Sequence, residues 1–393
     1  MITRKWLIPL ALLPVLLLAA CGTQSLSLNA ANLPESDAFA VQETTPVGDS
    51  GSISLVDLQD TFEQIYREVN PSVVNIQVVA GASAESAGLQ TGLGSGFVWD
   101  QAGHIVTNNH VIEGANQIRV TFADGSVFDA DLVGSDPYSD LAVIQVDAPA
   151  DRLHPIELAD SSLVRVGQLA IAIGNPFGLQ GTMTQGIVSG LSRSLTVDQD
   201  GSSGGLTGRY SIPDIIQTDA SINPGNSGGV LVDDQARLLG VTSAIATTTQ
   251  ANSGVGFVIP ASIVQKVVPS LIETGSFEHS WMGIVGRAVT PDLAEAMNLP
   301  EDQNGILVLG VTPRGPAANA GISAGTREAS INGEPVNLGG DVITAIDGQA
   351  VKRFEDMVSY LFNKTAVGQA VELTVLRAGN EQIIELILGA RPD

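Results

Sequence analysis

The chain of 393 residues has one cysteine, Cys21. A single thiol excludes an intramolecular disulfide and every CxxC metal or redox site. Basic residues are also scarce: 18 Lys and Arg stand against 42 Asp and Glu, a formal charge of −24. That balance repels phosphate backbones, so nucleic acid is not an expected partner. There are four histidines, His104, His110, His154 and His279, and no group of them has metal-ligand spacing. No metal and no other cofactor is expected. Aromatics make up 4% of the chain and charged residues 15%. What is plentiful is glycine, 43 residues, among runs of Val, Ile, Leu and Thr broken by Gly, Asn and Asp. That texture belongs to a β-rich protein, and the length favours two domains over one.

The amino terminus carries the clearest address. Arg4 and Lys5 precede 6-WLIPLALLPVLLLAA-20, an apolar run too short to span a bilayer comfortably and interrupted by Pro9 and Pro14. Residues 1–20 therefore read as a secretory signal peptide, with a transmembrane anchor as the alternative. The ending 18-LAAC-21 resembles a bacterial lipobox, with Cys21 as the lipidated first residue of the mature chain. Residues 21–54 are rich in Ser, Asn, Ala and acids without periodicity and read as a flexible tether.

Regular elements begin at 55-LVDLQDTFEQIYREV-69, where Leu55, Leu58, Phe62, Ile65 and Val69 share one helical face that Pro71 ends. Strand candidates follow at 73–79, 96–100, 104–108, 117–122, 141–146, 169–174, 183–191, 229–233, 238–245 and 254–260. Strands in such quick succession describe a barrel or sandwich. A helix at 261–275 closes this part, which we bound at 55–275. A second domain, 281–390, shows strands at 306–312, 341–348, 371–377 and 382–388, with helices at 316–321 and 353–363.

The stretch 222-INPGNSGGVLV-232 surrounds Ser227 with residues that contribute little side chain. It is either a plain tight turn or a backbone cradle for a reacting atom. A serine needs a base, usually histidine held by a carboxylate. His110, in 107-TNNHVIEGA-115, follows a strand that can position it, while His104 reads as a surface residue and His279 as part of a connection. Asp140, in 138-YSDLAVIQV-146, stands before an apolar run, an unusual place for an unpaired charge. Asp136 competes but suits the turn before Pro137. The rival motif, G-x-S-x-G of the α/β-hydrolases, needs strand–Ser–helix with its histidine last, whereas Ser227 is followed by an apolar strand.

TNNHV, SDLAV, GNPFG, TQGIVSG and QTDASINPGNSGG, in that order, resemble the HtrA (DegP/DegS-like) branch of the trypsin-fold serine proteases over roughly residues 58–270. The resemblance implies a mostly β fold, two six-stranded antiparallel barrels followed by a small α+β PDZ domain. It implies His110 as general base, Asp140 as its orienting carboxylate and Ser227 as nucleophile, in the His, Asp, Ser order of that fold. The oxyanion hole would use the N–H groups of Gly225, Asn226 and Ser227. Ser221, six residues before the serine, would floor the primary pocket; it is not a carboxylate, so a Lys or Arg preference is not expected. Ile222 with Ser243, Ala244 and Ile245 would shape a shallow apolar pocket for Val or Ala, the 243–245 backbone pairing with extended substrate. Trp281, Met282, Gly283 and Ile284 resemble the PDZ loop that receives a peptide's C-terminal carboxylate, with the start of a core strand as the plainer alternative. The segment 323–339 is longer than that fold needs, and 192–211 reads as a long Gly/Ser-rich loop whose family counterpart senses regulatory signals. The lipobox-like ending implies a membrane-anchored lipoprotein facing the extracytoplasmic space, and the family resemblance implies an ATP-independent endopeptidase for unfolded or damaged proteins. It also implies PDZ binding of C-terminal peptides and a homotrimer formed through the amino-terminal part of the protease domain, with Phe62 and Tyr66 as contacts. The alternative from another class is an inactive, PDZ-containing binding or chaperone protein on a protease scaffold.

Overall fold

Ile65 and Val69 anchor helix α1 (Leu55–Val69): both are buried, whereas Leu55, at 85% exposure, and Leu58 face outward. The apolar stripe read from the sequence therefore docks only by its carboxyl-terminal half, with Phe62 and Tyr66 packed on the same core. The computed structural model describes residues 55–80, 90–175, 181–198, 209–244 and 254–392. The signal segment, Cys21, the tether and Ile245 lie outside the described residues. Among the described residues no helix is long and apolar enough to cross a membrane.

Strands β1 (Val73–Ala80), β2 (Gln90–Val98) and β3 (His104–Thr107) are followed by the short helix α2 (Asn109–Ile112), then β4 (Ala115–Thr121), β5 (Val127–Asp136) and β6 (Leu141–Val146). They close into a barrel in the order β1-β2-β3-β6-β5-β4 around Ile76, Ile105, Val120 and Ile144. The second barrel takes β7 (Leu169–Gly174), β8 (Thr182–Asp198), β9 (Arg209–Thr218), β10 (Val230–Val232), β11 (Leu238–Ser243) and β12 (Gly256–Pro260). Its order is β10-β11-β12-β9-β8-β7 around Val188, Ile216, Leu231 and Val258. Every neighbouring pair within the two barrels is antiparallel.

Three barrel strands correct the reading from sequence. β5 and β9 were not expected, and the 192–211 segment is not a free loop from end to end. β8 runs on to Asp198 and pairs with β9 at Leu195↔Ile212, Thr196↔Ser211, Val197↔Tyr210 and Asp198↔Arg209. Residues 199–208 lie outside the described residues.

Helix α3 (Ala261–Thr274) ends at Gly275, whose φ of 80° permits the left-handed turn that lets its N–H close on Leu271. Val264, Val267, Val268 and Leu271 from α3 meet Phe97 and Leu141 of the first barrel and Ile171, Val230 and Ile259 of the second in one apolar cluster. That continuous core between barrels fixes the seam along which loops from both meet.

The carboxyl-terminal domain holds β13 (Ser280–Trp281), β14 (Ile284–Ala288), α4 (Pro291–Ala296), β15 (Ile306–Val311), α5 (Pro316–Asn319), β16 (Arg327–Ile331) and β17 (Glu334–Leu338). It continues through β18 (Val342–Ile346), β19 (Gln349–Ala350), α6 (Phe354–Lys364), β20 (Ala370–Arg377), β21 (Asn380–Ile387) and β22 (Gly389–Ala390). The sheet runs β14-β15-β18-β20-β21, with β19 on β18, so β14 is an edge. The long 323–339 segment is largely a hairpin, β16 against β17. Its turn residues Asn332 and Gly333 have φ of 53° and 84°, the paired positive values that an Asn-Gly hairpin turn requires.

This domain is tied to the barrels by polar contacts. Ser359 Oγ and Asn363 Nδ2 donate to Asp214, Tyr138 Oη donates to the Pro392 carbonyl, and His279 pairs with Asp136. Lys266 of α3 donates to the Phe362 carbonyl, and burial holds its ammonium below the ordinary lysine range.

Candidate active site

β3 and β6 pair through Thr107↔Ala142, which brings the residues just after one strand beside those just before the other. His110 follows β3 on α2; Asp140 precedes β6. Asp140 has φ of 54°, a left-handed conformation that aspartate tolerates better than most residues. The turn is held at both faces. Its N–H reaches the Pro137 carbonyl, and its own carbonyl accepts Asn109 N–H (3.1 Å) and Asn108 Nδ2 (2.9 Å).

That conformation aims a carboxylate, 1% exposed, at the histidine. Asp140 Oδ1 accepts the His110 backbone N–H at 3.1 Å and lies 2.9 Å from Nδ1; Oδ2 lies 2.9 Å from Nδ1 as well. A hydrogen bond there places the histidine proton on Nδ1 and leaves Nε2 able to accept one. The second barrel completes the carboxylate's partners: Ser243 Oγ donates to Oδ2 at 3.1 Å. This corrects the expectation for Ser243, whose buried hydroxyl supports Asp140 and does not line a pocket.

The next residue, Ala244, donates its N–H to Ser227 Oγ at 3.1 Å. Consecutive residues of one strand end thus tie Asp140 and Ser227 together across the seam. Ser227 Oγ makes no hydrogen bond to the His110 ring among the described residues, a bond that in unliganded sites often closes only around substrate.

The backbone around Ser227 is spoken for on one side and open on the other. The Gly225 carbonyl accepts Ser95 Oγ at 2.7 Å, the Asn226 carbonyl accepts Thr242 Oγ1 at 2.6 Å and Gly229 N–H at 2.8 Å, and the Ser227 carbonyl accepts Ser95 N–H at 2.7 Å. The N–H groups of Gly225 and Ser227 have no acceptor among the described residues. Two free donors beside a hydroxyl can receive a developing oxyanion. Asn226 is a correction: its N–H is spent on the Asn223 carbonyl at 2.9 Å. Two glycines are required by geometry. Gly225 has φ of 96°, and a Cβ on Gly228 would stand 2.0 Å from the Ser95 carbonyl oxygen.

The remaining pocket residues divide. Ser221 is half-buried, its carbonyl accepting Thr184 Oγ1 and Asn226 Nδ2. Ile222 belongs to the second barrel's core with Val258 and Leu231, which corrects its reading as an open pocket wall. Asp219 is structural, accepting the Ile187 N–H at 2.7 Å. Ser95, Thr107 and Thr242 escaped the sequence reading, because a hydroxyl inside a strand carries no local sign of a partner 130 residues away.

In the carboxyl-terminal domain Met282 is buried in the core, while Trp281 and Ile284 are half-buried. The carbonyls of Met282 and Gly283 accept Ala317 and Thr312 N–H, and their own N–H groups have no acceptor among the described residues. A cavity of about 800 Å³ opens beside this loop, lined by β14, α6 and Lys266.

Comparison with known proteins agrees with this architecture. Residues 94–241 match a trypsin-like peptidase domain and residues 283–388 a PDZ domain. The chain is 39% identical over 367 residues to Protease Do-like 1, chloroplastic, of Arabidopsis thaliana, covering 90% of this chain and 79% of that protein. It is 39% identical over 297 residues to the periplasmic serine endoprotease DegP of Escherichia coli, covering 75% of this chain and 56% of the relative. The chain therefore spans little more than half the length of that relative. Among solved structures, the HtrA-type protease AlgW with tripeptide superposes with a TM-score of 0.68 at 36% identity, over 84% of this chain and 98% of that one.

Proposed function

Because the chain belongs to the HtrA (DegP-like) family of trypsin-like serine proteases with a PDZ domain, we propose that His110, Asp140 and Ser227 carry out its peptide-bond hydrolysis. The observation that carries this reading is the pair of bonds from Ser243 and Ala244, which join the histidine's buried carboxylate to the serine. Ser227 Oγ leaves the Ala244 amide, gives its proton to His110 Nε2 and attacks the scissile carbonyl. Asp140 holds the ring and stabilises the imidazolium. The carbonyl oxygen becomes an oxyanion between the N–H groups of Gly225 and Ser227. His110 then protonates the leaving amine, and water hydrolyses the acyl-enzyme by the same steps in reverse. Casein cleaved by the wild type and left intact by Ser227→Ala is the expected result; cleavage by both would remove Ser227 from the mechanism.

The substrate class is unfolded protein outside the cytoplasm. Supporting this are the end of β11 at 243–244 beside the nucleophile, the half-buried uncharged Ser221, and relatives described as periplasmic. A peptide's C-terminal carboxylate binds the 281–284 loop through the Met282 and Gly283 amides, its strand adding to edge β14. Exposed Leu55, Val56 and Leu58 favour assembly through α1, as a trimer. Cys21 carries the lipid that holds the mature chain to a membrane. Cys21→Ser should move the protein to the soluble fraction; unchanged retention would favour an anchor made by residues 6–20.

A further inference from the structure

Ser95 lies in β2 of the first barrel, fully buried, with no place in the chemistry described above. Its hydroxyl accepts Asn175 N–H at 2.8 Å and donates to the Gly225 carbonyl at 2.7 Å. A hydroxyl has one proton, so with the Asn175 amide filling an acceptor site that proton is directed to Gly225. The backbone N–H of Ser95 meanwhile holds the Ser227 carbonyl at 2.7 Å. One residue of one barrel thus grips the nucleophile loop of the other on both sides of Asn226.

The grip acts on a particular plane. A peptide unit is rigid, so holding its carbonyl and its N–H fixes its orientation. The unit between Gly225 and Asn226 is held at the carbonyl by Ser95 Oγ and at the N–H by the Asn223 carbonyl at 2.9 Å. The free Gly225 N–H sits in the preceding unit, and the free Ser227 N–H in the following one, whose carbonyl is held by Thr242 Oγ1 and Gly229 N–H. The Gly225–Asn226 unit is therefore the piece between the two donors, and its tilt sets the angle at which they converge. Gly225 itself offers no resistance, because glycine occupies both halves of φ space readily.

We infer that Ser95 is a positioning residue for the oxyanion site: its hydroxyl pins the Gly225–Asn226 peptide so that the N–H groups of Gly225 and Ser227 point at one oxygen. Without it the buried Gly225 carbonyl loses its partner, and rotation of the Gly225–Asn226 unit toward another donor relieves that loss while changing the angle between the flanking units, so that the two N–H groups no longer converge. Ser95 touches neither substrate nor His110, so its effect falls on stabilisation of the tetrahedral anion and not on binding of the ground state.

This inference rests on the Ser227 mechanism, and the test separates the two. Full-length Ser95→Ala, Ser95→Cys and Ser95→Thr are compared on an extended peptide substrate. Each is also titrated with a peptide boronate, which forms a tetrahedral anion on the serine, and each is combined with Ser227→Ala to measure binding of uncleaved peptide. Loss of one oxyanion donor costs about 100- to 1000-fold in kcat; the Ala variant is expected to lose roughly 10- to 100-fold, because the donor is misdirected and not removed. KM and ground-state peptide affinity should hold within about twofold, boronate affinity should fall in step with kcat/KM, and Thr, which keeps the hydroxyl, should recover most of the loss. Cys matches Ser in shape with a far weaker donor, so it carries the same test if Ala does not fold. Normal kcat in a folded Ala or Cys variant would overturn the inference, as would a kcat loss that leaves boronate affinity unchanged. Turnover by Ser227→Ala alone would instead sink the mechanism beneath it.

Discussion

Two histidine–aspartate pairs flank a single turn of this chain. Asp136 ends β5 and Asp140 precedes β6, and both carboxylates are almost fully buried. His279 Nε2 lies 2.8 Å from Asp136, and His110 Nδ1 lies 2.9 Å from Asp140. The pairs differ in what else surrounds them. His279 is packed edge-on against Phe277 (4.8 Å between ring centroids) and Tyr138 (5.4 Å), with Phe362 at 6.0 Å. Asp136 spends its other oxygen on the Tyr138 N–H. His110 keeps a quarter of its side chain exposed, and its carboxylate leads through Ser243 and Ala244 to a hydroxyl. A histidine held by a buried carboxylate is thus not yet a base. It becomes one when its second nitrogen can reach a reacting group; enclosed by rings, the same pair is a joint between domains.

The largest effects test the open pair. Ser227→Ala and His110→Ala should each lower kcat by about 10⁶-fold with secondary structure unchanged, because the groups act as one proton-transfer unit. Asp140→Asn should cost about 10⁴-fold, since the amide favours the wrong tautomer of His110. Turnover measurements with circular dichroism on the same samples decide this. Normal kcat in any of the three would dissolve the contrast with the enclosed pair.

The enclosed pair should respond in stability. Asp136→Asn weakens the bond to His279 and leaves buried partners imperfectly matched, at a cost of about 1–3 kcal/mol. The loss should appear as a lower thermal midpoint, while kcat on a short peptide stays within a few-fold of wild type. If Asp136→Asn instead abolished turnover in a protein that melts normally, the two pairs would have to be treated as one coupled system.

How far the sequence could separate these pairs follows from what each depends on. Strand alternation, the apolar runs of β6, β7 and β11, and the Gly275 stop of α3 were all legible, because each is a local pattern. β5 was not: Phe128, Asp129, Ala130 and Asp131 alternate as a half-buried strand should, but exposed Val127 and Leu132 break that alternation at both ends of the run. β9 was hidden by Pro213, which sits where the ladder skips from Ile212 to Ile215 beside Asp214 at φ 56°. His110, Asp140 and Ser227 could be picked out by motif and order. The burial of Asp136 could not, since its partner lies 143 residues away on a different domain's approach. Nor could the spending of the Asn226 N–H on Asn223, which depends on the turn the loop takes.

A third pair sets the lower end of the scale. His104 Nδ1 lies 2.7 Å from Asp100 Oδ2, the shortest of the three contacts, and the partners are only four residues apart at a turn that water reaches. Distance alone would rank it first. The physical ranking is opposite, because a partly exposed polar contact gains little over its hydrated components and contributes about 0–1 kcal/mol. Asp100 has separate work: its Oδ1 accepts the N–H groups of Ala102 and His104, at 2.9 and 3.2 Å, and so closes the turn between β2 and β3. His104→Ala should therefore shift the thermal midpoint by less than Asp100→Ala does, and by less than Asp136→Asn, with turnover unchanged. A His104→Ala loss equal to that of Asp136→Asn would mean that contact distance, and not burial, governs what these pairs contribute.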